Sequence, residues 1–157
     1  MQKTRQIPVF IWRWMKTLSR HMVRSYNGNS RMSRMVLLLT TTGRKSGLSR
    51  TTPLQYEEID GVCYVASARG RQADWFRNLQ ADPHVQVQIG ERCFSALAEA
   101  VTDPVRIADF FEARLKKHPR MIGLLMRLEG LPLHHTRQEL EEFAAGKALA
   151  ILRREES

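Results

Sequence analysis

The stretch TGRKSGLSRTTP, residues 42–53, holds the residue types best suited to gripping an anion. A tight turn bracketed by Gly43 and Gly47 aims several backbone N–H groups at one point. Arg44, Lys45 and the Ser46 hydroxyl add charge and donors, and together these make a receptor for a phosphate. Arg50 projects from the following strand toward the same region. The same spacing also fits a basic hairpin tip pointing at water, and the turn alone does not choose between the two. A second constellation is Ser67 and Arg69, in the segment SARG, followed by Trp75 and Asn78. The last two stand three apart and so share one face of a helix. A strand-end serine, an arginine and a Trp/Asn face could cover one side of a flat heteroaromatic ligand. Trp75 as ordinary core with Asn78 as a solvated neighbour stays open beside it.

Several other chemistries lack their residues. No GxGxxG follows a strand. Gly43 to Gly47 is not a P-loop either, since that motif needs GxxxxGK[ST] between strand and helix, whereas the threonines and Pro53 continue as a strand. His134 and His135 adjoin each other without a Cys, carboxylate or third His at ligand spacing, so no metal site is expected. No nucleophile elbow or Ser-His-Asp order can be argued from His21, His84 or His118. Cys63 and Cys93 are lone thiols in apolar surroundings, which predicts buried packing and a reducing cytoplasm, not disulfides.

The elements that must position these groups come from a chain of 157 residues, 43% hydrophobic and 26% charged, the size of one domain with one core. Residues 1–56 carry eleven Lys and Arg and no Asp or Glu, against fourteen cations and sixteen anions in the remainder, so the formal +9 comes from the N-terminal third. Such polarity predicts an anionic partner. Nucleic acid, with Trp12 and Trp14 stacking on bases, is the least favoured such partner and is not expected, because no nucleic-acid module is visible. Residues 8–26 place Val9, Trp12, Met15, Leu18 and Met22 on one helical face, with Arg13, Lys16, Arg20 and Arg24 opposite. The spacing predicts a helix lying on the core; a peripheral helix on a membrane surface, anchored by Phe10 and Trp14, is the second reading. The apolar run IPVFIW is too short to cross a bilayer or serve as a secretory segment, so a soluble cytoplasmic protein is expected.

After the break NGNS, the runs RMVLLLTTTG, RTTPLQYEE, VCYVAS, HVQVQI and RCFSALAEAV read as strands, the first two as a hairpin and Asp60-Gly61 as a tight turn. ADWFRNLQAD reads as a helix stopped before Pro83. Asp103-Pro104 opens another, MIGLLMRLEG is a third, and Thr136 with Glu139 has capping-box spacing and opens a long charged helix to about Arg154. The expected fold is therefore mainly β with added helices (α+β): a small antiparallel barrel at 35–133 in a single domain, preceded by the basic helix of 1–30 and followed by a helical extension at 136–157.

The succession LLLTTTGRKSGLSRTTPL, YVASARG, DWFRNLQADPHVQVQIG and ALAEAV resembles the deazaflavin-dependent nitroreductase family, and the pairing of TTGRKSG plus Arg50 with W-x-x-N-L-x-A-D-P is specific to it. The resemblance, over residues 35 to about 133, implies a split β-barrel of the FMN-binding, pyridoxamine-oxidase-like type. It also implies coenzyme F420, a deazaflavin with a phospholactate and an oligoglutamate tail, as cofactor. By that similarity Arg44, Lys45 and Ser46 hold the phosphate and Arg50 adds charge there. Ser67 bonds near the ring, Arg69 lies at the tail or ring edge, and Trp75 and Asn78 line the pocket. The implied activity is hydride transfer to an electron-poor quinone, enone or nitro compound.

The chain departs from the family pattern in three places. HPRMIGLLMRLEGLP has Met121, Leu124 and Leu125 where relatives carry tyrosines beside the ring, Gln55 replaces an aromatic, and the loop from Ser67 to Trp75 is about two residues shorter. These four residues line the substrate pocket by the resemblance, and Met121, Leu124 and Leu125 make its substrate side apolar, which implies a lipophilic substrate. FMN is the runner-up cofactor, a non-catalytic carrier on the same barrel is the alternative function, and monomer and homodimer both stay open.

Overall fold

The computed structural model describes residues 21–24, 26, 34–67 and 69–156. Seven strands form one antiparallel sheet: β1 Val36–Thr42, β2 Ser49–Gln55, β3 Glu57–Ile59, β4 Val62–Ser67, β5 His84–Ile89, β6 Arg92–Val101 and β7 Ala148–Arg154. Their order is β2-β1-β5-β6-β7-β4-β3. The end strands β2 and β3 are separated by Tyr56 alone. One bent stretch therefore pairs with β1 through its first half and with β4 through its second, which curls the sheet into a barrel. β3 reaches only Val62 to Tyr64, so among the described residues Val65 to Ser67 have no strand partner on that side of β4, and the barrel is split there beside β2.

Alternation along each strand decides what faces inward. In β1, Leu37 and Leu39 are fully buried inside and Thr41 follows on the same face. Registers Leu37↔Leu54, Leu39↔Thr52 and Thr41↔Arg50 put Arg50 on that inner face of β2. Helix α1, Asp74–Ala81, fills the barrel end with Phe76 and Leu79. It stops at Asp82, extended before Pro83 as the sequence predicts. Asp60-Gly61 forms the expected turn, both residues having positive φ (51° and 77°), the conformation of a two-residue hairpin matched to strand twist.

A second core lies on the outer face of β7 and β4 under three helices, α2 Pro104–Lys117, α3 Pro119–Leu128 and α4 Arg137–Ala144. Asp103 caps α2, its carboxylate accepting from the Val105 N–H at 3.0 Å. Where α2 meets α3, the buried Glu57 carboxylate binds Lys117, Arg114 (3.7 Å) and His118 (3.5 Å), tying the corner to β3. Burial pushes the Arg114 guanidinium below its usual range, with Glu57 opposing the shift.

The long helix expected to Arg154 is corrected. The capping box at Thr136 and Glu139 is present, but α4 ends at Ala144 and the chain re-enters as β7, central in the sheet between β6 and β4. Ala148, Ala150 and Leu152 enter the barrel while Leu149 and Ile151 enter the helical layer. Burial on both faces removes the polar alternation that marks a strand, leaving the apolar run ALAIL readable as helix. The helix expected at 8–26 lies mostly outside the described residues; 21–24 are helical.

Because β7 carries both cores, Leu152→Ala is expected to cost about 2–5 kcal/mol in urea unfolding, whereas Arg154→Ala stays within about 0.5 kcal/mol. Equal small effects would show that the strand is dispensable.

Candidate functional site

The β1–β2 loop, Gly43 to Leu48, is closed by the Gly43 N–H donating to the Leu48 carbonyl (2.8 Å) and the Gly47 N–H donating to the Gly43 carbonyl (2.8 Å). Gly47 has φ +70°, which favours glycine there, and a Cβ on Gly43 would crowd Ser46 Oγ at 2.6 Å and the Leu48 carbonyl oxygen at 3.2 Å. Ser46 Oγ accepts from the Leu48 N–H at 3.2 Å, which leaves its own proton to donate outward. Lys45, Ser46 and Arg50 are exposed.

Arg44 behaves differently from these three. Its side chain, 19% exposed, folds back onto α1: Nη1 donates to Asn78 Oδ1 (2.9 Å) and to the Asp74 carbonyl (3.5 Å), and Nη2 pairs with the Asp74 carboxylate (3.3 Å). The Arg44 backbone N–H also donates to Asn78 Oδ1, at 3.2 Å. The other end of that amide, Asn78 Nδ2, donates to Thr41 Oγ1 at 3.3 Å, with Asn78 4% and Thr41 2% exposed. The Asn78 side chain thus joins β1, the turn and α1, and is committed to protein partners at both ends.

Trp75 is buried in the barrel cluster, edge-on to Phe76 with centroids 5.8 Å apart. Ser67 ends β4 on the face of Cys63 and Val65; it is 3% exposed, and its hydroxyl makes no hydrogen bond among the described residues. Arg69 is exposed and precedes a short 3-10 turn, Gly70–Gln72. Gly70 has φ +60°, and a Cβ there would come within 2.4 Å of the Gly146 carbonyl oxygen, so this turn presses on the entry to β7. The structure therefore gathers Arg44, Asn78 and the turn around α1, with Trp75 in the barrel cluster and Ser67 buried on the barrel-facing side of β4.

The remaining sequence-derived residues lie on other elements. Gln55 closes β2 opposite Val36. Met121, Leu124 and Leu125 occupy the outward face of α3, whose Ile122 and Met126 face the second core. Just past that helix, Glu129 binds Lys147 at 2.7 Å, beside Ala148, the register partner of Ser67. Cys63 is no nucleophile: burial pushes its thiol up to about 11, so it stays protonated at neutral pH. Thr41 and Asp74 are the participants that spacing did not reveal, because the bonds they make, Asp74 with Arg44 and Thr41 with Asn78, span 30 and 37 positions.

A model of the F420H(2)-dependent quinone reductase family matches residues 14–122. An F420H(2)-dependent quinone reductase of Mycobacterium tuberculosis (strain ATCC 25618 / H37Rv) is 44% identical over 69 residues, 41% of this chain and 46% of the relative. The chain thus spans about half the length of the curated relatives it matches. Among solved structures, an F420-H2 dependent reductase superposes with TM-score 0.52 at 22% identity, over 76% of this chain and 95% of that one. A Listeria innocua protein described as a pyridoxamine 5'-phosphate oxidase does so with TM-score 0.53 at 13% identity, over 80% and 89%. The fold is that of the split barrel these proteins share.

Asn78→Ala strands the Arg44 N–H and the Thr41 hydroxyl, and is expected to lower stability by about 1–3 kcal/mol and to speed amide exchange at Gly43 and Gly47. The more exposed Asp74→Asn should change stability by less than about 1 kcal/mol. Unaltered exchange in the Asn78 variant would remove the amide from its bridging role.

Proposed function

The chain belongs to the F420H(2)-dependent quinone reductase family, and on that premise we propose that it is an oxidoreductase moving a hydride from reduced coenzyme F420 to a quinone or another electron-poor, lipophilic acceptor. The observation that carries the reading is the buried Ser67 hydroxyl, which has no partner among the described residues, at the end of β4 where the barrel is split. A buried hydroxyl left unpaired costs free energy, so its natural complement is a polar ligand atom. The ring edge of a deazaflavin offers one. The exposed cations of the β1–β2 turn complement the phosphate and carboxylates of the same molecule.

In this reading Lys45, Arg50 and the Ser46 hydroxyl hold the phosphate. Arg44 adds its charge at that end while its bonds to Asn78 and Asp74 fix the backbone donors of the turn. Ser67 donates to the ring edge, Arg69 balances charge at the tail or ring edge, and Trp75 with Asn78 forms the wall behind. When bound, the reduced deazaflavin supplies the hydride, and the protein supplies position and electrostatics. Gln55, Met121, Leu124 and Leu125 form the acceptor side. None of these four is a phenol, so the acceptor side offers no tyrosine hydroxyl for the proton that accompanies the hydride to a quinone.

The test is a titration with oxidised F420 against FMN, followed by turnover of the reduced coenzyme with quinones, enones and nitroaromatics, read as return of the oxidised deazaflavin absorbance. Tight F420 binding with quinone turnover is expected. Preferential FMN binding would overturn the cofactor, and binding without turnover would leave a carrier. Ser67→Ala should keep the stability of the free protein while weakening F420 by about 0.5–1.5 kcal/mol. Lys45→Ala with Arg50→Ala should weaken F420 by about 1.5–3 kcal/mol or more, again at constant stability.

A further inference from the structure

Helix α3 is apolar over more of its circumference than a surface helix needs. Ile122 and Met126 seat it on the second core, yet Met121, Leu124, Leu125 and Leu128 form a further stripe at i, i+3, i+4 and i+7, with exposures of 43%, 56%, 41% and 76%. Leu133, 61% exposed, lies just beyond the helix. Helical geometry sets Arg120 and Arg127, seven apart, along one flank of this stripe.

The segment that carries the stripe has charges of one sign only. Residues 113–128 contain five Lys and Arg and no Asp or Glu. Arg114 and Lys117 are held by Glu57, whereas Lys116, Arg120 and Arg127 are exposed and in no ion pair among the described residues. The nearest following acid, Glu129, is occupied by Lys147. An exposed leucine stripe rimmed by unmatched cations has the composition of a helix lying in a lipid headgroup layer. A second copy of the chain fits less well, since pairing two such stripes brings the arginine rows of both copies together.

We propose that the outward face of α3 docks on an anionic bilayer. The leucines enter the acyl boundary and Lys116, Arg120 and Arg127 contact the headgroups, while no described helix is long and apolar enough to cross. The docking stands independently of the coenzyme reading and is tested without coenzyme. Because Met121, Leu124 and Leu125 also belong to the proposed acceptor side, the variants use other positions.

The full chain is floated with vesicles of phosphatidylcholine alone and of phosphatidylcholine with phosphatidylglycerol. Binding is expected on the anionic vesicles only. It should weaken at least about tenfold in Leu128→Glu with Leu133→Glu, and by a similar factor in Arg120→Gln with Arg127→Gln. To separate α3 from residues 8–26, an environment-sensitive fluorophore is attached at Leu128→Cys in a Cys93→Ser background, where Cys63 is buried. Its emission should shift to the blue on anionic vesicles. The proposal is overturned by no vesicle binding, by variants that bind as the parent does, or by a label that stays in water while the protein is bound. A doubled mass in light scattering that Leu128→Glu abolishes would likewise overturn it in favour of a second copy.

Discussion

One buried amide holds the site together. Asn78 accepts both the Arg44 backbone N–H and its guanidinium, and donates to Thr41. A glycine-bracketed hairpin tip has few apolar contacts of its own, and left to itself would sample many conformations, with its backbone donors aimed in many directions. Fastening Arg44 to α1 removes that freedom before any ligand arrives, and the ordering cost is then met by folding instead of by binding. The cations divide accordingly: Arg44 is bonded to the protein, while Lys45 and Arg50 are left exposed.

The same logic extends to the frame. α1 can serve as an anchor because Phe76 and Leu79 fix it in the barrel, and the barrel is rigid there because β7 is wedged between β6 and β4. β7 has alanines on its barrel side at 148 and 150, leaving room for the larger residues of β4 and α1, and aliphatics on its other side beneath α2 and α4. Closing the sheet through one bent strand, β2 into β3, removes most of the free edge but cannot satisfy the end of β4. That is where the Ser67 hydroxyl lies, unpaired among the described residues. The opening in the fold and the unsatisfied polar group coincide.

The features that the sequence disclosed were local ones. Strands β1, β2, β4, β5 and β6 announce themselves by apolar runs and tight turns, and α2 by Asp103-Pro104, because the deciding interactions lie within a few residues. β7 lacks a strand signature because it is buried on both faces, and the capping pattern of Thr136 and Glu139 governs only the first turn of α4, so it says nothing of where that helix ends. Within the site, the basic turn and the Trp75/Asn78 face could be picked out by residue type. That Asn78 bonds Arg44 rather than standing free could not, since it is a contact across 34 positions created by the fold.

Net charge misled in a related way. Fourteen cations nearly balance sixteen anions after residue 56, which suggests a neutral remainder. The fold unbalances it locally: Arg137 gathers Asp109, Glu112 and Glu141, and Glu99 is shared by Arg106 and Arg153, so most anions of the helical layer are consumed in pairs on α2, α4 and β6. α3 receives none of them. Interaction between exposed charges fades within about 8–10 Å at physiological salt. What a partner approaching α3 meets is therefore set by the uncancelled cations of that one helix, and a balanced total over the rest of the chain does not attenuate it.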